Sequence, residues 1–161
     1  MRLSFSPITR SDEPFLLALY ASTRADEMAL VPWNDEQKNA FIKFQFEAQH
    51  QHYTSKYPPD SFKIIELEGE RVGRLYLSEL ADEVRIIDLT ILPERRGKGL
   101  GKRIITDILK QATKPVRIYL ESFNRSVGLF NELGFEIIDD EGVYQLWECR
   151  RIGTRDLTAT V

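Results

Sequence analysis

The feature that most constrains the fold is a strand that runs directly into a glycine-rich turn and then into a helix. Residues 84–92 are rich in Ile and Leu, and their nearly continuous apolar character predicts a strand covered on both faces. Three glycines then alternate along residues 97–101. Apolar residues recur at helical spacing over residues 100–109, which predicts an amphipathic helix. This unit places a stretch of backbone that a ligand can approach closely at the start of a helix.

The turn is suited to an anion. Alternate glycines let the backbone come close to a ligand and point successive amide N–H groups one way, at the positive end of the helix dipole. Residues 95–103 contain five basic side chains and no acidic one. A dinucleotide fingerprint would need glycine at Lys102, and a P-loop would need glycine at Arg96 and Ser or Thr at Arg103. The sequence therefore predicts a phosphate site that fits neither nucleotide motif.

With this unit included, the whole chain is predicted to contain seven strands and four helices, in the order strand, helix, helix, three strands, helix, strand, helix, two strands. Asn34 with Gln37 predicts a capping box at the start of the second helix. The predicted strands are residues 2–7, 62–67, 71–77, 84–92, 116–120, 136–140 and 144–150, and the predicted helices are residues 11–24, 34–53, 100–110 and 126–133.

Size and composition indicate one ordinary globular domain. The 161 residues carry 22 Lys and Arg against 25 Asp and Glu, a net charge of −3, which disfavours nucleic acid and anionic membranes as partners. We expect a single domain over residues 1–151 and a frayed tail over residues 152–161.

The cysteine, histidine and hydropathy patterns disfavour three further classes of protein: disulfide-bonded, metal-binding and membrane-spanning. A single cysteine, Cys149, cannot form an intrachain disulfide and fits a reducing cytoplasm. His50 and His52 diverge by about 200° on a helix, so we expect no metal site. No early apolar run reaches the roughly 20 residues that span a bilayer, so we expect neither a signal peptide nor a membrane segment.

Two motifs resemble a known family. Residues 96–101, Arg-Gly-Lys-Gly-Leu-Gly, resemble the R/Q-x-x-G-x-G/A motif of the GNAT superfamily of acyl-CoA-dependent N-acetyltransferases, and residues 89–93 match the strand before it. Asn124, followed by a short helix that ends in Leu-Gly-Phe at residues 133–135, resembles the second motif of that family. The resemblance is strong over residues 62–150 and weaker before them.

The resemblance implies a mixed α/β (α+β) fold: a mostly antiparallel sheet of about seven strands with about four helices, its fourth and fifth strands splayed around acyl-CoA. The backbone of the turn would hold the pyrophosphate, and main-chain groups of Leu89 and Ile91 would pair with the pantetheine. The Leu89 N–H would polarise the thioester carbonyl, and Asn124 would contact the pantetheine. The implied coenzyme-binding residues are Leu89, Ile91, Arg96, Gly97, Lys98, Gly99, Leu100, Gly101, Lys102, Asn124 and Phe130.

The catalytic residues depart from the family pattern. Phe130 stands where many members place a proton-donating tyrosine, so Tyr144, Tyr119 or water would protonate the departing thiolate. Glu83, near the start of the fourth strand, and Asp88, a lone carboxylate in an apolar run, are the candidate bases. Each has a plainer interpretation, a solvated strand end for Glu83 and a satisfied buried acid for Asp88.

The second helix predicts an acceptor site. At about 100° per residue, Gln45, Gln49 and His52 fall in the middle of an apolar arc. One side of the arc holds Phe41, Phe44 and Ala48, and the other holds Ile42, Phe46 and Tyr53. Family members commonly line the acceptor pocket here, so we expect these three polar residues, with Trp33, to face the acceptor. Hydrogen-bonded core polar groups are the alternative. Cys149 is expected to be a small core residue.

These features predict an enzyme that transfers an acetyl group from the co-substrate acetyl-CoA to a primary amine of a small molecule or peptide by direct attack. The expected catalytic set is Glu83, Asp88, Leu89 and Tyr144, with no metal. The alternative is a non-catalytic acyl-CoA-binding or sensor domain. A monomer or a homodimer fits the sequence equally.

Overall fold

A seven-stranded sheet organises residues 2–150, the part of the chain that the computed structural model describes. The strands lie in the order β1-β2-β3-β4-β5-β7-β6. Their bounds are β1 Leu3–Pro7, β2 Phe62–Leu67, β3 Glu70–Glu79, β4 Val84–Ile91, β5 Val116–Glu121, β6 Glu136–Asp140 and β7 Tyr144–Cys149. The tail predicted over residues 152–161 lies outside the described residues.

The strand directions confirm the mixed, mostly antiparallel sheet. Pairs β1–β2, β5–β7 and β6–β7 are antiparallel, whereas β4 and β5 run parallel. The β4–β5 pairing covers only Val84–Ile86 and Val116–Ile118, although both strands continue beyond it. The two strands therefore separate over their second halves, which is the predicted splay.

The helices confirm four predictions and add one short element. They are α1 (Glu13–Thr23), α2 (Ala25–Ala29), α3 (Asp35–Lys56), α4 (Leu100–Gln111) and α5 (Val127–Glu132). The sequence prediction of four helices missed α2, whose five residues are too few to show a helical period. None of the described helices is long and apolar enough to cross a membrane.

The predicted capping box starts α3. The Asn34 Oδ1 accepts a hydrogen bond from the Gln37 N–H at 2.8 Å, and the Gln37 Oε1 accepts one from the Asn34 N–H at 3.1 Å. Two N–H groups that a helix start would leave without partners are satisfied in this way.

The chain groups into two compact units. The first contains the residues up to Leu75 together with Thr90–Arg95. Its core packs α1 and α3 on β2 through a cluster of apolar residues. Gly73 in β3 has no room for a side chain, because an added Cβ would lie 2.2 Å from the Thr90 carbonyl oxygen. The core cluster comprises Leu16, Tyr20, Ile42, Phe46 and Ile64.

The second unit contains Tyr76–Leu89 and the described chain from Arg96 onward. Alternation in its strands buries one face, with Ile86, Ile118 and Trp147 each at most 5% exposed. The second half of β4 is only partly buried, so the cover predicted on both faces is incomplete where β5 diverges.

Candidate functional site

The glycine turn has the geometry of an anion site. Gly97 and Gly99 have φ angles of +77° and +79°, in the left-handed region that favours glycine. Gly99 is the N-cap of α4, and its carbonyl accepts the Arg103 N–H at 3.0 Å to begin the helix. The N–H groups of the first turn have no acceptor within the helix. The backbone therefore presents donors at the positive end of the α4 dipole.

The side chains of the turn are less basic in effect than their number suggests. Arg95 forms an ion pair with Glu70, and the Lys102 Nζ lies 2.6 Å from the Glu132 Oε1. Lys98 is exposed and makes no ion pair with any residue of the described chain. The count of five basic residues without an acid stands, but Glu70 and Glu132, which are distant in sequence, offset part of that charge.

The splay brings a new carboxylate level with the predicted thioester site. Counting on from the last β4–β5 pair, Ile86 with Ile118, leads to Leu89 on β4 and Glu121 on β5. Glu121 is partly buried and pairs directly across the β5–β7 ladder with Tyr144, which is 50% exposed. Residues opposite each other in a ladder share one face. Leu89, Glu121 and Tyr144 therefore lie at one level of this unit.

Glu121 was not among the sequence candidates. The sequence feature that could have identified Glu121 is its place as a carboxylate at the carboxyl end of β5, the strand that follows α4. The register also separates the two tyrosines. Tyr119 lies two residues closer to the paired part of β5, where the Arg85 guanidinium sits 5.0 Å from its ring centroid. Tyr144, opposite Glu121, is therefore the better placed of the two.

Glu83 lies in an ion-pair network at the paired end of β4. It is 7% exposed, and Arg85 donates to both of its carboxylate oxygens at 3.0 Å. The Arg117 Nη1 lies 3.8 Å from it. A hydrogen bond to Glu148 raises the pKa of Arg117 against the opposing effect of burial, so its guanidinium stays charged. The structure thus places Glu83 before the splay, with its carboxylate already engaged.

The other predicted residues of this unit occupy different environments. Asp88 is partly buried in β4, and strand alternation puts it on the face of Ile86, opposite to that of Glu121. Phe130 is 2% exposed and packs edge-to-face on Phe135 at 5.0 Å, as a core residue does.

Asn124 stabilises the turn before α5. Its Oδ1 accepts the Ser126 N–H at 2.8 Å in the turn before α5. The Nδ2 group makes no hydrogen bond to any residue between 2 and 150, and an amide nitrogen of this kind can donate to a carbonyl oxygen.

The predicted acceptor residues in the first unit divide into two kinds. The Gln45 Oε1 accepts from the Tyr20 hydroxyl at 3.4 Å, and the Gln49 Oε1 accepts from the Nη2 of buried Arg74 at 2.9 Å. His52 is exposed, and Trp33 is 41% exposed with its ring edge-on to that of Phe41.

The predicted orientation of α3 needs one correction. The helical projection placed Phe44 and His52 in the inward arc, but Phe44 is 72% exposed and His52 is also exposed. Ile42 and Phe46, which the projection also placed in the apolar arc, do lie in the core cluster, and the His50 ring stacks on that of Phe46 with centroids 5.9 Å apart.

Within residues 2–150, no group of three or more His, Cys, Asp or Glu side chains is arranged to hold a metal ion. Cys149 is fully buried.

Sequence comparison identifies a family. The profile of the acetyltransferase (GNAT) family matches residues 18–135, well over half of the chain. The chain is 36% identical over 85 residues to mycothiol acetyltransferase of Corynebacterium urealyticum, covering 50% of this chain and 22% of that protein. It is 33% identical over 91 residues to the uncharacterized N-acetyltransferase YjgM of Escherichia coli, covering 51% of this chain and 54% of that protein. The chain thus spans only part of these relatives.

Structural comparison supports the same fold. The crystal structure of PaiA N-acetyltransferase from Thermoplasma acidophilum in complex with coenzyme A aligns with a TM-score of 0.67 at 16% identity. The alignment covers 93% of this chain and 99% of that one. At this identity the likeness concerns the fold alone.

Proposed function

Because the chain belongs to the acetyltransferase (GNAT) family, we propose that it transfers an acetyl group from acetyl-CoA to a primary amine of a small molecule or peptide. The observation that carries the proposal is the turn at residues 97–101, where two left-handed glycines open the N-terminus of α4. PaiA, of the same fold, was crystallised with coenzyme A. The donor is therefore a coenzyme A thioester held by its phosphates.

The donor is bound mainly by backbone groups. The pyrophosphate accepts hydrogen bonds from N–H groups of the turn, and the Lys98 ammonium adds charge. The Asn124 Nδ2 donates to a pantetheine carbonyl. Main-chain groups of Leu89 and Ile91 pair with the pantetheine as an added strand would, and the Leu89 N–H polarises the thioester carbonyl.

The transfer is a direct attack. The amine nitrogen forms a bond to the thioester carbon as the carbon–sulfur bond breaks, and coenzyme A leaves as a thiolate. The amine must lose a proton and the thiolate must gain one. Freeing a lysine-like amine at pH 7 costs about 4 to 5 kcal/mol, whereas an α-amine costs about 1 kcal/mol. A weak carboxylate base therefore favours the less basic amine.

We assign the base to Glu121 and the acid to Tyr144, because they face each other at the level of Leu89. Asp88 remains the second candidate base. Glu83 is the weakest candidate, because Arg85 already binds both of its oxygens.

Variants of this pair test the assignment. Glu121→Gln and Tyr144→Phe should each lower kcat by about 10² or more, as loss of an acid or base does, and leave the acetyl-CoA dissociation constant unchanged. Tyr119→Phe is the matched control for Tyr144 and should keep nearly full activity. If Tyr119→Phe loses as much kcat as Tyr144→Phe, the assignment of the acid is wrong.

The acceptor side is assigned to Trp33, Gln45, Gln49 and His52 in the first unit. Exposure favours Trp33 and His52 as contacts, whereas the two glutamines are held by Tyr20 and Arg74. The double replacement His52→Ala and Gln49→Ala should raise the acceptor KM with acetyl-CoA affinity unchanged. An equal loss of both would contradict the assignment.

A non-catalytic acyl-CoA sensor is the second candidate, favoured by the buried Phe130 at the position of the usual tyrosine. Thermal stabilisation by acetyl-CoA, followed by measurement of free-thiol release against a panel of amines, separates the two. Stabilisation with thiol release supports the enzyme, and stabilisation without release for every amine supports the sensor. No stabilisation at millimolar acetyl-CoA would defeat both.

A further inference from the structure

The segment that contains α5, β6 and β7 is strongly acidic. Residues 126–149 hold six acidic residues and no Lys or Arg, in a chain whose net charge is only −3. The six acidic residues are Glu132, Glu136, Asp139, Asp140, Glu141 and Glu148.

Half of this charge is already balanced or hydrogen-bonded. Glu132 pairs with Lys102, Glu148 pairs with two arginines, and Asp140 accepts from the Gly142 N–H and the Gln145 amide. The other three acids are exposed, and none forms an ion pair with any residue between 2 and 150. These are Glu136, Asp139 and Glu141. The negative charge that remains is therefore concentrated along β6 and the turn after it.

The same strand forms one edge of the sheet. β6 is last in the strand order and pairs only with β7 among the described strands. Its register is irregular between Ile137 and Asp139, and Ile137 and Ile138 are 45% and 47% exposed. Such an edge offers main-chain donors and acceptors, with apolar side chains beside them, to another extended chain.

A groove of about 500 Å³ lies beside this edge. Val127, Phe135 and Ile137 supply apolar walls, Asn131 and Gln145 supply amides, and Trp147 completes the lining. Trp147 is 2% exposed, yet its indole N–H has no acceptor within the described chain. Because Trp147 lines the groove, its indole resonance reports on what binds there.

We propose that the β6 edge binds an extended, lysine- or arginine-rich segment of a partner protein. The segment adds a strand to β6, and its cations meet Glu136 and Asp139, which the β6–β7 register places on one face. The alternate side chains of the segment lie over Ile137 and the groove on the other face. A second copy of this chain is the less suitable occupant. Antiparallel pairing of two β6 strands would oppose Glu136 to Asp140, and like charges directly opposite are destabilising.

The probe is a nine-residue peptide in which Lys alternates with Thr, so that its lysines share one face of the added strand. In ¹⁵N-labelled protein it should move the Trp147 indole resonance and the amide resonances of β6. The variant Trp33→Phe assigns the two indole signals, since the chain has two tryptophans. A peptide with Glu in place of Lys should leave the spectrum unchanged.

Charge variants test the chemistry of the surface. Glu136→Gln with Asp139→Asn should weaken peptide binding about five-fold, since two exposed charges each contribute modestly. The matched double variant Glu47→Gln with Asp60→Asn removes two exposed acids elsewhere and should change affinity less than two-fold.

Several outcomes would overturn the proposal. If only the Trp33 indole and α3 amides move, the peptide binds there and not at β6. If nothing moves at millimolar peptide, the acids only protect the edge from aggregation. If the β6 resonances change on dilution without peptide, a second copy is the occupant. If they change when the chain is ended after residue 150, the residues beyond it are the occupant.

Discussion

The basic turn at residues 95–103 and the acidic segment at residues 126–149 are opposite in charge but differ more in backbone geometry. Each run has charges of one sign, and each loses part of them to ion pairs, one of which, Lys102–Glu132, joins the two. The turn adds two left-handed glycines and a helix start, whereas the acidic segment adds an open strand edge. If both proposed sites are correct, charge sets the sign of each ligand and backbone geometry sets its shape. A compact phosphate suits the turn, and an extended chain suits the edge.

The largest expected effect comes from changing the backbone of the turn without changing its charge. Gly99→Ala leaves every cation in place, and nothing lies within 4 Å of the added Cβ, so the cost comes from the φ of +79°. Holding an alanine at this φ costs about 1 to 2 kcal/mol of conformational free energy. If the backbone instead relaxes to a negative φ, the N–H groups of the turn point in other directions. We expect acetyl-CoA affinity to fall about 30-fold by calorimetry, equivalent to about 2 kcal/mol.

Gly69→Ala is the matched control. Gly69 has a φ of +82° in the β2–β3 turn, and an added Cβ there also meets nothing within 4 Å. Gly69→Ala should lower the melting temperature about as much as Gly99→Ala does, and it should leave the affinity for acetyl-CoA unchanged. If both variants bind equally well or equally poorly, the backbone of the turn is not the phosphate site.

Charge reversal in the turn should have a smaller effect. Lys98→Glu places a negative charge at a turn cation that is exposed and makes no ion pair within the described chain, and should weaken acetyl-CoA binding about ten-fold at low salt. Arg95→Gln removes a cation that Glu70 already offsets, and should cost less than three-fold. A larger loss for Arg95→Gln than for Lys98→Glu would show that ion pairing does not decide which charges act.

The smallest effect concerns the pair that joins the two segments. Lys102 and Glu132 are 52% and 59% exposed, and exposed pairs contribute about 0 to 1 kcal/mol. Lys102→Met should therefore lower the free energy of unfolding by less than about 1 kcal/mol in urea titrations. Glu132→Gln should do the same and leave acetyl-CoA affinity within two-fold. A loss of several kcal/mol would mean that the pair organises both segments.

Local patterns in the sequence were enough for most of the fold. The strand, glycine turn and α4 follow from residue spacing, and the capping box at Asn34 follows from two residues three apart. The splay was implied by family resemblance rather than by spacing, and the short pairing of β4 with β5 confirms it. The helix α2 was missed because one turn carries no periodic signal.

Features that depend on tertiary partners could not be predicted in this way. The inward face of α3 is set by its packing on α1 and β2, so the projection misplaced Phe44 and His52. Glu132 is 30 residues from Lys102, and no local pattern pairs them. Glu121 is a candidate base only because the strand register places it level with Leu89 and opposite Tyr144.

Titration of the ¹⁵N-labelled protein with coenzyme A tests the central claim most directly. The amide protons of residues 97–101 should move downfield and saturate together, as expected for N–H groups that donate to phosphate, while β6 amides stay in place. Movement confined to other residues, or no movement at millimolar coenzyme A, would contradict the assignment of the turn as the phosphate site.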